Sequence, residues 1–275
     1  MSTTRYLAWH GLFPYKRFGS PFFWVGTLGV GLGVMLLIIV LSVMQGFGET
    51  YRQKMVELGG DIKIQSPMGV LDGDEVLPII EADPLVEAAA PYGQGFMMVE
   101  HERRPSFPIV RGIDPALESK IIPFGKDNLI KEGSINDLDV DSVMLSSLLA
   151  KQLGAGVGSQ VEVYTPMMIS RLGKNELLLP RPMRVAALYE TGWHDFDQNT
   201  VIMTLSAFQE LYGLGEASHG VTVRLKDGQK LGEAQLSLQK ELRGYEVTTW
   251  KEMYRDFLWV LDLERNMMFF LMLFV

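Results

Sequence analysis

The stretch GTLGVGLGVMLLIIVLSVMQGFGET, residues 26–50, sets four glycines (Gly26, Gly29, Gly31 and Gly33) at the head of an unbroken apolar run. It reads either as a phosphate-cradling loop opening a nucleotide fold or as a membrane helix that keeps glycines for packing. Charge placement separates the two. Between Arg17 and Glu49 there is no Asp, Glu, Lys or Arg. Pro21 to Met44 is 24 residues, roughly 36 Å as a helix, enough to cross a hydrocarbon core of about 30 Å with some tilt. A dinucleotide fingerprint needs a strand before the glycines, a polar-faced helix after them and an acidic residue about 20 positions on. Here the glycines lie inside the apolar segment, and VMLLIIVLSV (34–43) has no polar face to show water. Gly29 and Gly33 form a GxxxG pair with Gly26 near the same stripe, a spacing that lets a neighbouring helix approach closely; the alternative is glycine merely tolerated in lipid. A cleaved signal peptide has a shorter apolar run, about 7–15 residues, ending at a small-x-small site. SVMQGFGET (42–50) offers no good one.

The flanks set the orientation. The first 20 residues carry Arg5, Lys16 and Arg17 and no acid, while GETYRQKMVE (48–57) is mixed in sign. The positive-inside rule therefore predicts a cytoplasmic N-terminus. All 33 acidic residues follow, with 22 of the 25 basic ones, a net charge of −11. A phosphate-binding surface is basic, so nucleic acid is not an expected partner. The chain has no cysteine and hence no disulfide.

The far end mirrors the beginning. Thr249-x-x-Glu252 has capping-box spacing, and neither Gly nor Pro follows it. The helix starts charged, and NMMFFLMLFV (266–275) carries no charge. Ten residues do not span a bilayer, so the expectation is a second membrane helix starting near Asn266 and returning to the cytoplasm, with more sequence beyond it. The alternative, a short core helix, would call for a polar face that this run lacks.

The roughly 200 residues between read as α+β. The first helix continues through ETYRQKMVEL with Tyr51, Met55 and Leu58 on one stripe, until Gly59-Gly60 ends it. DIKIQSP alternates like a strand; AAAPYGQGFMMVE and RPSFPIVRGID are strands joined near a basic turn at Arg103-Arg104. SVMLSSLLAKQLG is a strand running into a helix stopped by Gly154, and SQVEVYTP, MRVAALYE, NTVIMTL and GVTVRLK are further strands. Ser206 is placed to cap AFQELYG. KLGEAQLSLQKEL puts Leu231, Ala234, Leu238 and Leu242 on one face, and Gly244 terminates it. Strands interleave with helices too few to cover both sheet faces. There is no internal repeat or low-complexity segment.

Most candidates for chemistry fail on inspection. Asp137, Asp139 and Asp141 begin like a calcium loop, but Ser142 and Leu148 stand where Gly and Glu are needed, which leaves a solvated acidic turn. His10, His101, His194 and His219 have no metal-ligand spacing. GWHDFDQ (192–198) holds no nucleophile; its simpler reading is a loop with Trp193 and Phe196 packed and His194 and Asp195 facing water. Without a Walker A lysine motif, the chain does not hydrolyse nucleotide by that route. No catalytic residue, metal or bound cofactor is expected.

YTPMMISRLGKNELLLPRPMRV (164–185) resists so plain a reading. The apolar runs Met167-Met168-Ile169 and Leu177-Leu178-Leu179 flank a polar tip, SRLGKNE, with Pro166 and Pro180-Arg181-Pro182 at the base. A projecting hairpin of that pattern exposes side chains that prefer burial, and such surface marks a partner. The alternative is a loop folded back on its own domain.

LGVGLGVMLLIIVLSVMQGF (28–47), RGIDPALE (111–118), VMLSSLLAKQLGAGVGSQVEVYTP (143–166) and LERNMMFF (263–270) together resemble the lipoprotein-releasing permease family, the LolC/LolE-like subunits of an ABC transporter in the bacterial inner membrane. The resemblance runs through nearly the whole chain. It implies four membrane helices with a periplasmic domain after the first, this chain being the N-terminal portion. The layout expected is a cytoplasmic segment (1–20), a first transmembrane helix (21–46), a periplasmic α+β domain with helical stalks (47–265) and the start of a second transmembrane helix (266–275). The resemblance also implies a second permease subunit, identical or homologous, and a cytoplasmic ATPase subunit that binds ATP and Mg. A cavity between the first and second helices takes the acyl chains of lipoprotein substrates, which places Val43, Met44, Phe47, Met267 and Met268 near the lipid. The hook that captures a periplasmic lipoprotein chaperone corresponds to 166–182, with Pro166, Met167, Met168, Ile169, Arg171, Leu172, Leu178, Leu179, Pro180 and Arg181, and Arg184 beyond it. Rigid helices, Gln45 to Leu58 and Trp250 to Arg265, would transmit closure from one side of the membrane to the other. The tip RLGKN lacks the family's proline-glycine pattern, and Glu162 stands where a basic residue would help, leaving Arg181 and Arg184 to supply charge. A related reading is an efflux or cell-division permease of the same layout without the hook.

Overall fold

A computed structural model describes residues 21–122, 129–166, 168 and 180–274. The chain divides into two compact units, one formed by residues up to Thr50 together with Arg255 onward, the other by Tyr51–Tyr254.

The first unit is helical. Helix α1 (Pro21–Gly59) contains a stretch long and apolar enough to cross a membrane, none of it buried inside the protein. Val25, Leu28, Leu32 and Leu36 are all more than 60% exposed, a surface that only lipid or another apolar helix solvates favourably. At the other end of the unit lies a second helix (Arg255–Phe274), numbered α9 in the order below. A Cβ at Gly48 would lie 3.7 Å from Leu261 Cδ1, so the two helices come close there. Gly26, Gly29 and Gly33 meet nothing within 4 Å among the described residues. Among the described residues of this chain, the close helix approach falls at Gly48.

The second unit runs β1 (Ile62–Gln65), β2 (Leu71–Asp72), α2 (Gly73–Glu81), β3 (Val86–Phe96), β4 (Met98–His101), β5 (Arg104–Ser106), β6 (Ile109–Ile113), α3 (Pro115–Ile121), β7 (Ile130–Gly133), β8 (Ser142–Ser146), α4 (Ser147–Leu153), β9 (Gln160–Tyr164), β10 (Arg181–Tyr189), α5 (His194–Asn199), β11 (Thr200–Thr204), α6 (Leu205–Tyr212), β12 (Ala217–Ser218), β13 (Gly220–Leu225), α7 (Leu231–Glu241), β14 (Glu246–Thr249) and α8 (Trp250–Met253). Twelve strands form one mixed sheet in the order β14-β1-β13-β3-β6-β11-β8-β10-β9-β4-β5, with β7 on β10. Strand pairs β6/β11 and β8/β10 are parallel, and the other pairs in this sheet are antiparallel.

Both faces of the sheet's centre are buried. Along β8, Val143 and Leu145 enter one core and Met144 the other; along β11, Val201 and Met203 oppose Ile202 in the same way. Leu149, Ala150 and Leu153 of α4 and Ala207, Phe208 and Leu211 of α6 close the first core, while Leu58, Ile121 and Tyr189 enter the second. The α+β class holds, but helices do reach both faces, because short ones from distant parts of the chain converge there.

Gly93 and Gly112 stand directly opposite each other on β3 and β6. Phe208 fills the slot: a Cβ at either glycine would meet its side chain at 2.1 or 2.5 Å. The expected strands fall where their alternation put them, and Leu231, Ala234, Leu238 and Leu242 are all buried. Three local details differ. Thr204, not Ser206, caps α6, its Oγ1 accepting from Ala207 N–H. The β4–β5 turn is carried by Glu102 and Arg103, both with positive φ, one residue before the expected pair. Thr249 and Glu252 form the capping box, yet the helix they open ends at once: Tyr254 leaves helical geometry (φ −107°, ψ 23°) and α9 starts afresh at Arg255. Trp250 to Arg265 is therefore two helical pieces, broken where Tyr254 turns its ring edge-on to Trp193.

RGIDPALE becomes a strand-to-helix clasp. Asp114 caps α3 by accepting from Ala116 and Leu117 N–H, and Pro115 takes the first helical position, where no N–H is needed. Arg111 Nη2 reaches back to Glu118 Oε1 at 2.7 Å, both residues buried. Removing one partner leaves a bare buried charge, so Glu118→Ala is expected to cost about 3–5 kcal/mol in denaturation of the full chain. Gly93→Ala, which drives a methyl into the Phe208 ring, should cost about 3 kcal/mol by the same measurement, against under about 0.5 kcal/mol for an exposed control such as Glu216→Ala.

Candidate functional site

Strands β9 and β10 pair antiparallel, Val163 opposite Arg181 and Glu162 opposite Pro182. A hairpin of that register closes with a turn of about 2–5 residues; here Thr165–Pro180, 16 residues, intervene. At its root Thr165 is buried and Pro166 exposed. Met168 is half-buried against the core and gives its N–H to Thr165 Oγ1. Met167, Ile169, Arg171, Leu172, Leu178 and Leu179 lie outside the described residues.

The two arginines expected to offer charge are engaged within the domain. Arg181 Nη2 is 2.9 Å from Asp141 Oδ1, and its Nη1 is 2.7 Å from Glu210 Oε2. Arg184 Nη2 sits 3.6 Å from Asp139 Oδ2 and donates to the Asp137 carbonyl. The acidic turn is thus partner to the arginines at the base of the excursion. The Arg184 pair is exposed and long, worth at most about 1 kcal/mol, whereas Arg181 is half-buried between two carboxylates and is held more firmly. Desolvation raises the Tyr164 phenol, with a further push from the hydrogen bond that its Oη donates to Glu162 on the same strand. In the helical unit, Val43, Phe47 and Met267 are more than half exposed, while Met44 and Met268 are intermediate.

Among the described residues no three His, Cys, Asp or Glu side chains cluster as a metal site. His194 and Asp195 face solvent as expected, with Trp193 and Phe196 half-buried, though the segment forms the short helix α5 rather than a loop. Its anchor is Asp197, buried, whose carboxylate accepts from Thr191 N–H, Thr191 Oγ1 and Gly192 N–H. That turn holds Trp193 and Phe196 over the sheet, their rings stacked at 6.4 Å.

Beneath them is a cavity of about 150 Å³ lined by Leu58, Gly59, Lys63, Gln94, Ile109, Arg111, Trp193, Phe196, Thr200 and Tyr254. Lys63 Nζ and the Arg111 guanidinium lie 5.4 and 5.5 Å from the centre of the Tyr92 ring. Burial, reinforced by the Arg111 charge and opposed by Glu118, pulls the Lys63 amine down to about 8. Burial raises the phenols of Tyr92 and Tyr254. None of this was singled out from sequence. The alternation of IKIQ places Lys63 opposite Ile62 and Ile64, a position that reads as solvent until the second sheet face is known to be covered.

An α+β domain that follows one helix long and apolar enough to cross a membrane is the layout of a membrane-protein class. The chain belongs to the family of the MacB-like periplasmic core domain, whose profile matches residues 25–241. It is similar to the lipoprotein-releasing system transmembrane protein LolC of Xylella fastidiosa (strain Temecula1 / ATCC 700964), 27% identical over 248 residues, 88% of this chain and 58% of that protein. LolC of Neisseria meningitidis serogroup B is 28% identical over 261 residues, 90% of this chain and 60% of that protein. The chain thus spans about three fifths of the length of these relatives. The crystal structure of the periplasmic region of MacB from Actinobacillus actinomycetemcomitans covers 73% of this chain and 94% of its own, at 14% identity and a TM-score of 0.47.

Lys63 makes stability depend on pH. The unfolded chain holds its proton to the ordinary value of 10.5 while the folded chain releases it at about 8. Between those values the unfolded state binds more protons, so stability rises with pH. Relative to Lys63→Met, the wild type is expected to gain about 3 kcal/mol between pH 8 and 10.5, measured by denaturation of both proteins across the window.

Proposed function

We propose that this chain is the N-terminal portion of a permease subunit of an ABC transporter, which extracts lipoproteins from the bacterial inner membrane and passes them to a periplasmic chaperone. The observation that carries the reading is the similarity to lipoprotein-releasing proteins along 88–90% of the chain. In this reading the N-terminus is cytoplasmic, residues 21–46 and 266–275 enter the membrane, and residues 47–265 form the periplasmic domain. ATP is hydrolysed, with Mg, by a separate cytoplasmic subunit, and a second permease copy or homologue completes the cavity. Val43, Met44, Phe47, Met267 and Met268 contact acyl chains; methionine is unbranched and adapts to varied hydrocarbon. Gly26, Gly29 and Gly33 serve helix packing against the second permease.

The 16-residue connection between adjacent strands supports a chaperone-capturing hook formed by 166–182. Its weakly paired Arg184 suits an acidic partner that competes with Asp139 for it, with Arg181 beside it already bridging Asp141 and Glu210.

The test uses the full-length permease with its ATPase in proteoliposomes. Deleting 167–179 is expected to lower chaperone capture at least tenfold, read by pulldown, while ATP hydrolysis persists; unchanged capture would remove the hook from the proposal. A photo-crosslinker at Val43 or Met267 is expected to label lipoprotein before ATP addition and lose it after. Absence of labelling at both would leave a permease that transmits ATPase motion without lipoprotein cargo.

A further inference from the structure

The cavity under Trp193 has no part in the transport reading. Its charges do not balance. Arg111 is matched by Glu118 at 2.7 Å, but Lys63 has no carboxylate within ion-pair distance among the described residues. Its Nζ lies 5.4 Å from the centre of the Tyr92 ring. A desolvated, uncompensated ammonium is costly and persists where something of opposite charge recovers the loss.

Two further donors belong to lining residues. Arg111 Nε and Trp193 Nε1 are buried and have no hydrogen-bond partner among the described residues, whereas buried N–H groups are nearly always satisfied. Leu58, Ile109, Phe196 and Tyr254 give the wall its apolar and aromatic part, and Gln94 and Thr200 its neutral polar part. At about 150 Å³ the space matches a cavity that accommodates one benzene ring in a protein interior.

We propose that this cavity binds a small monocarboxylate of about the size of benzoate. Its carboxylate pairs with Lys63 and draws on the free N–H groups of Arg111 and Trp193, and its hydrocarbon part lies between Phe196, Tyr254 and Leu58. One charge, not two, suits the site because Glu118 already offsets Arg111. The ligand would touch both Gly59, the last residue of α1, and Tyr254, the residue that precedes α9.

The experiment titrates the full chain in nanodiscs with benzoate by calorimetry, with benzamide as the neutral isostere and inorganic phosphate as a second anion. Benzoate is expected to bind at millimolar concentration or below and benzamide at least tenfold more weakly. Lys63→Met, which removes a charge but keeps the stem, should weaken benzoate at least tenfold. Trp193→Phe, which keeps the stacked ring and removes the N–H, should weaken it about threefold and gives an independent reading if the first variant misfolds. Equal binding of benzoate and benzamide, no binding up to about 10 mM, an unaffected Lys63→Met protein, or phosphate binding tighter than benzoate would each overturn the proposal. All of these outcomes leave the transport reading where it stands.

Discussion

The buried pair of Arg111 and Glu118 organises the domain. It ties the start of an eight-residue motif to its end, so that β6 turns sharply into α3 with Asp114 capping the helix. Three features adjoin that contact. Gly112, next in the chain, faces Gly93 and makes room for Phe208 on the opposite side of the sheet. Ile121, at the far end of α3, enters the second core beside Leu58. The guanidinium is held against Tyr92 and the cavity wall rather than in solvent. A hydrophobic pair of equal volume would often be as stable; what the ion pair adds is a fixed direction for each partner.

A second arginine fastens the point where α1 ends. Arg224 donates to the Glu57 and Ile121 carbonyls, which lie at the C-terminal ends of α1 and α3, and pairs with buried Asp61. Helix C-termini leave carbonyls unsatisfied and carry partial negative charge, so one cation serves both. Asp61 in turn accepts Leu225 N–H, and its carbonyl accepts Trp250 N–H at the start of α8. The last turn of α1 and the first turn of α8 are thus bonded to the same short stretch of sheet.

Much of this was legible in the residues. Charge absence over 18–48, strand alternation, the capping box at Thr249 and the glycine stops at Gly60 and Gly154 are local properties, and each appears where read. Pairing across the sheet is not local. The acidic turn at 137–141 looked solvated because its partners, Arg181 and Arg184, stand some forty residues away on β10. Met168 looked like part of an exposed apolar run, and its packing against the core depends on where α6 and β9 lie. Lys63 and Arg111 were not singled out, for the same reason: the cover on their face of the sheet comes from residues far along the chain.

By itself, the sequence determined that an apolar helix opens the chain, that an α+β domain follows, and which family the protein resembles. These rest on runs and periods that any local window reports. Only the tertiary structure decided which polar side chains are neutralised, that the second helical segment breaks at Tyr254, and that a half-buried lysine lines a cavity roofed by Trp193. Those outcomes depend on residues far apart in sequence sharing one low-dielectric space, where an unpaired charge has consequences that it would not have in water.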